Sequence, residues 1–155
     1  TALIAASVIN IFKETLEQVI FLAVLMPIIA SMGGVAATQT LTITVRGLAL
    51  GQIVRANYLY IFNRELMVGI SNGFIWAVIL SLIACSWFQD WLLAWVICLS
   101  MIINLIAGVL SGMGIPILLK GLKMDPAVAG SVIVTTVTDV IGFFSFLGLA
   151  AYFYS

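Results

Sequence analysis

Long apolar stretches alternate with short polar ones along this chain, and the polar ones mark where helices should end. At roughly 17–44, 66–87, 92–119 and 127–154 the apolar stretches are long enough to cross a hydrocarbon core of about 30 Å as helices. Another, at about 1–13, is too short. It begins directly at Thr1 with no basic leader, so we expect a truncated helix rather than a secretory signal. KETLEQ, which follows, reads as a short turn or helix end. From Arg46 to Arg64 the charges are sparse and Tyr58 and Tyr60 sit among aliphatics, the pattern of an interfacial helix. The pattern predicts an all-α integral membrane protein, a five-helix bundle forming one transmembrane domain over 1–155.

Composition sharpens this: 64% of residues are hydrophobic and 8% charged, against roughly 45–50% and 25% in globular proteins. The net charge is zero, and no nucleic-acid partner is expected. Arg46, Arg55 and Arg64 lie between the second and third segments, Lys120 and Lys123 between the fourth and fifth. Two spans separate these loops, so both fall on one side, which the positive-inside rule makes cytoplasmic in a multi-pass protein of the plasma (inner) membrane. Glu14, Glu17 and Asp90 then fall outside, with Lys13 the only base there. There is no His, and Cys85 and Cys98 lack metal-type spacing, so both read as apolar packers. With no acid pair in the membrane and no nucleophile beside a base, an enzyme is not expected.

Within the spans, small and polar residues recur at helical spacing. Gly34, Thr38 and Thr42 share one face, which suits either close helix packing or the wall of a watery path. Asn72 and Asn104 read as scaffold amides bonded to neighbouring helices, and Gly108 and Gly112 as a packing pair. Trp87, Trp91 and Trp95 form an outer aromatic belt. Pro116 and Gly121 should end the fourth helix, and Asp125 should cap the fifth ahead of Pro126.

One acid, Asp139, interrupts the last segment. Ala127 lies about 18 Å of helix before it and Tyr154 about 22 Å after it, which puts it near the midplane. An ionisable group there costs at least about 2.5–3.5 kcal/mol, so it faces a cavity or a partner and is a functional-site candidate by default. Ser131, Thr135, Asp139 and Gly142 fall on one face, flanked by Thr136 and Thr138. All their donors are oxygens, which suit hard cations such as Mg²⁺, Ca²⁺ or Mn²⁺. No basic side chain shares that depth, so a mobile cation, a proton or a second subunit must answer the acid. Two copies meeting on this face would bring two carboxylates together, matching one divalent ion. The plain alternative is a protonated Asp139 bonded to another helix.

The stretches MPIIASMGGVAATQTLTITVRGLALG (26–51) and DPAVAGSVIVTTVTDVIGFFSFLGLA (125–150) resemble the membrane domain of the MgtE family of magnesium channels and transporters, related to the solute carrier 41 group. The resemblance implies a homodimer with five helices per subunit and a central pore between the second and fifth helices of both. It implies a hydrated Mg²⁺ at Asp139, with Thr135 and Gly142 as further metal-site residues, and a path lined by Gly34, Val35, Thr38, Ser131 and Thr136. Two departures stand out: Val35 replaces the asparagine of the family's usual Gly-Gly-Asn-Ala-Gly, and the family's cytoplasmic regulatory domains are not in this sequence. The expected activity is inward transport of divalent cations, Mg²⁺ first. Proton- or sodium-coupled transport and a non-transporting membrane scaffold are the alternatives.

Overall fold

The computed structural model describes residues 1–154, the side chain of Ala129 excepted. Its elements are α1 (Ala2–Ile11), α2 (Lys13–Gln18), α3 (Phe21–Ala49), a single 3₁₀ turn (Arg55–Asn57), α4 (Tyr58–Phe88), α5 (Trp91–Gly121) and α6 (Pro126–Tyr154). Among the described residues the fold is all-helical, and four helices are long and apolar enough to cross a membrane; Ala2–Ile11 is shorter.

Three boundaries differ from the sequence expectation. The second span begins at Phe21, because Lys13–Gln18 folds as its own short helix, with Lys13 and Glu17 paired at 3.5 Å one turn apart. The interfacial helix expected over 46–64 does not form. Arg46 instead lies in the last turn of α3, and Tyr58 opens α4. Local polar contacts make the reversal between them: Gly51 takes a left-handed φ of 68°, the Val54 N–H donates to Asn57 Oδ1 at 2.9 Å, and Asn57 Nδ2 donates to the Gln52 carbonyl at 2.7 Å. Pro116 does not end α5 either. Its missing N–H frees only the carbonyl four residues back, and the helix continues to Gly121. Lys120, inside that last stretch, donates to the Leu48 carbonyl at 3.0 Å and closes the end of α3.

The centre of the bundle is α5, on which α3, α4 and α6 all pack; α3 also packs on α6, and α1 lies against α6. Glycines set the approach. A Cβ at Gly108 would lie 2.8 Å from the Gly33 carbonyl oxygen, and one at Gly112 2.5 Å from that of Ala37, so the α5 pair packs on α3. On α4, a Cβ at Gly69 would lie 2.3 Å from Val109, and one at Gly73 3.1 Å from Leu105. In lipid, where apolar burial drives little helix association, such close backbone approach supplies the packing energy. At the acidic end, Asp90 accepts from the N–H groups of Leu92 and Leu93 at 2.8 and 3.3 Å, capping α5, and also from the Tyr154 hydroxyl at the end of α6. Asp125 caps α6 as expected, accepting from the Ala127 N–H at 2.8 Å.

Candidate functional site

The α3–α6 seam positions the candidate residues. Ala37, Leu41 and Val134 form a buried cluster, and Gly130 lies over Leu41. Gly33 and Gly142 both meet Asn104 of α5. Rising numbers on α3 therefore meet falling numbers on α6, and the helices are antiparallel. In an antiparallel pair, the position after each seam residue turns to the same side on both helices. Gly34, Thr38 and Thr42 on α3 and Ser131, Thr135 and Asp139 on α6 are those positions.

This side is open. A Cβ at Gly34 would meet nothing within 4 Å, Thr38, Thr42 and Ser131 are exposed, and Val35 is 50% exposed. The Gly34–Thr38–Thr42 row is thus not used for packing within the chain. Its hydroxyls turn back on their own helix, Thr38 to the Gly34 carbonyl and Thr42 to that of Thr38, both at 2.8 Å. Thr135 donates to Ser131 at 2.9 Å and Thr136 to Val132 at 2.6 Å. Because each hydroxyl proton is committed inward, its oxygen lone pairs face outward, where they can accept from water or approach a cation. Asp139 is half-buried and has no hydrogen-bond partner among the described residues.

Gly142 lies elsewhere. It is buried, and a Cβ there would sit 2.7 Å from Asn104 Nδ2. Its carbonyl accepts from the Ser145 hydroxyl at 3.2 Å. The structure therefore brings Asp139, Thr135, Ser131, Gly34 and Thr38 towards one open side, leaves Val35 exposed next to Gly34, keeps Thr136 half-buried, and turns Gly142 into the packing.

The two amides part company. Asn104 is fully buried and donates to the Ile29 carbonyl at 2.8 Å, the scaffold role expected of it. Asn72 is exposed and instead lines a cleft with Gln39, Thr40 and Glu65. Glu65, at the start of the third apolar segment, was given no role by the sequence. The signal was its spacing: Glu65, Gly69, Asn72 and Gly73 recur on one helical face.

The MgtE family profile, described as a divalent cation transporter, matches residues 26–149. The magnesium transporter MgtE of Bacillus subtilis is 34% identical over 151 residues, which cover 97% of this chain and 34% of the relative. Those of Thermus thermophilus and Enterococcus faecalis are 29% and 28% identical, over 97% and 96% of this chain and 33% of each relative. The chain spans about a third of the length of these curated relatives. With the profile covering residues 26–149 and relatives aligned along nearly the whole chain, this protein belongs to the MgtE family of divalent cation transporters.

Proposed function

We propose that this chain is the membrane part of a divalent cation transporter, with Mg²⁺ as principal cargo, and that two copies form the path by apposing the open sides of α3 and α6. The observation that carries the reading is Asp139: a carboxylate near the middle of a spanning helix, on an open face, with no protein partner among the described residues. Left against lipid it would be costly. Facing a second copy across water, it contributes half of a doubly negative ring. No group of three or more acidic, His or Cys side chains that could hold a metal occurs among the described residues. Mg²⁺ sheds its water reluctantly, so the cargo is proposed to meet Asp139 as a hydrated ion.

On this reading Asp139 and Thr135 approach the hydrated cargo, while Gly34, Val35, Thr38, Ser131 and Thr136 border its path. Gly142 serves by letting Asn104 close the α5–α6 contact. The subunit has five helices, with α1 and α2 belonging to the first, and the end carrying Arg46, Arg55, Lys120 and Lys123 faces the cytoplasm of the cell whose inner membrane holds it. Those names on the relatives, magnesium transporter, support the cargo.

The test is uptake of Mg²⁺ into liposomes, read by an enclosed dye, for the parent chain and Asp139→Asn, with dimer content measured by crosslinking. Lost flux with an intact dimer is the expected result. Flux equal to the parent's overturns the assignment of Asp139, and a parent chain that moves no divalent ion under a membrane potential leaves a scaffold as the better description.

A further inference from the structure

On the other side of α3 from Asp139 lies a second polar pocket. Because α3 and α4 both pack on α5, a cleft remains between them, floored by Val109 where Gly69 lets it approach. Its cavity, of about 80 Å³, is lined by Gln39 and Thr40 from α3 and by Glu65 and Asn72 from α4, with apolar neighbours. That is room for an ion with part of its water shell.

Two of these groups are more than nine-tenths buried yet incompletely satisfied. Glu65 is 7% exposed, and both of its contacts from Arg64, at 2.8 and 3.3 Å, fall on Oε1. Oε2 receives no hydrogen bond among the described residues. Thr40 is 4% exposed and, unlike Thr38, Thr42 and Thr44, does not donate its hydroxyl to its own helix. Among the described residues the fully enclosed side-chain atoms without a partner are Ser81 Oγ and Asn104 Oδ1, so Glu65 Oε2 and Thr40 Oγ1 keep contact with the cleft, where water or a cation can satisfy them. Arg64 does not line the cavity; its side chain is 58% exposed and engages Oε1.

We propose that this cleft is a second cation site, in which Glu65 Oε2, Thr40 Oγ1 and the amide oxygens of Gln39 and Asn72 hold one hard, partly hydrated metal ion between α3 and α4. The donor set is all oxygen and includes no soft ligand, which selects an alkali or alkaline-earth cation. Glu65 carries the only formal charge on the cavity wall, so Arg64 competes with the ion for the same carboxylate. Occupancy would tie α4 to α3, one wall of the proposed path, without placing the ion on that path.

The experiment reads the thermal unfolding midpoint of the purified chain in detergent, in the Asp139→Asn background so that the midplane acid does not contribute. MgCl₂ and NaCl are titrated separately against choline chloride at equal ionic strength. The expected result is a saturable rise in midpoint with one of the metals, whichever binds more tightly identifying its charge, and loss of that rise in Glu65→Gln. Arg64→Gln should lower the half-saturating metal concentration several-fold, because it removes the competitor. If Glu65→Gln does not fold, Thr40→Val keeps the shape, removes one oxygen and should raise the half-saturating concentration several-fold. No saturable rise with either metal, an undiminished rise in Glu65→Gln, or an unchanged half-saturating concentration in both Arg64→Gln and Thr40→Val overturns the proposal. A merely structural Arg64–Glu65 ion pair predicts instead that Arg64→Gln and Glu65→Gln lower the midpoint by similar amounts at every metal concentration.

Discussion

Asn104 of α5 fills the space a side chain at Gly33 of α3 would need: a Cβ there would lie 2.2 Å from Asn104 Nδ2. The same amide blocks Gly142 of α6, and it donates to the Ile29 carbonyl at 2.8 Å. Its Oδ1 is buried without a partner among the described residues. One side chain on the central helix thus sets how closely both helices of the proposed path approach.

Gly33→Ala should therefore destabilise the fold by about 1–3 kcal/mol, the usual cost of overpacking a tight site. Asn104→Ala should recover part of that loss in the double variant, because the clash is between these two groups. Equilibrium unfolding in mixed micelles gives the cycle, and additive effects would show that the two residues do not share the space.

The glycines of α3 and α5 should separate by what faces them. Gly112→Ala meets the Ala37 carbonyl oxygen, 2.5 Å from the new methyl carbon, and backbone cannot rotate away. Gly34→Ala meets nothing within 4 Å. The first should lower the unfolding midpoint clearly. The second should leave the midpoint within error, or raise it slightly through helix propensity, while altering cation flux if it borders the path.

Tyr154→Phe removes one hydrogen bond, from the hydroxyl to Asp90, and should cost about 1–2 kcal/mol. Asp90→Ala should cost more, because the same carboxylate also caps α5 through the N–H groups of Leu92 and Leu93. Thermal unfolding of the two variants and their double ranks them. Equal losses would mean that capping contributes nothing.

Val35 is 50% exposed next to Gly34, where the resemblance leads one to expect asparagine. Val35→Asn should change the order of divalent ions in a competition flux assay and leave assembly intact. An unchanged series would remove Val35 from the path wall.

The apolar runs determined by themselves that this chain is helical and membrane-embedded, because lipid offers the backbone no other way to satisfy its polar groups. The helical period put Ser131, Thr135 and Asp139 on one face and marked Asp139 as an acid needing an answer. The sequence also carried the family, through the two long stretches around Gly33 and Asp139. Tertiary structure decided which neighbour each small residue meets. It turned Gly142, which the helical period had placed on that same face, into the α5 contact, and left the Gly34–Thr38–Thr42 row open when the spacing allowed packing as well. Among the described residues it gave Asn104 a buried partner and Asn72 none, although the two amides look alike in the sequence, because α5 is the helix the others surround. Glu65 gained its significance from a cleft that forms only when α3 and α4 dock on α5 rather than on each other. Periodicity assigns a residue to a side of its helix; what lies across from that side depends on contacts between distant parts of the chain.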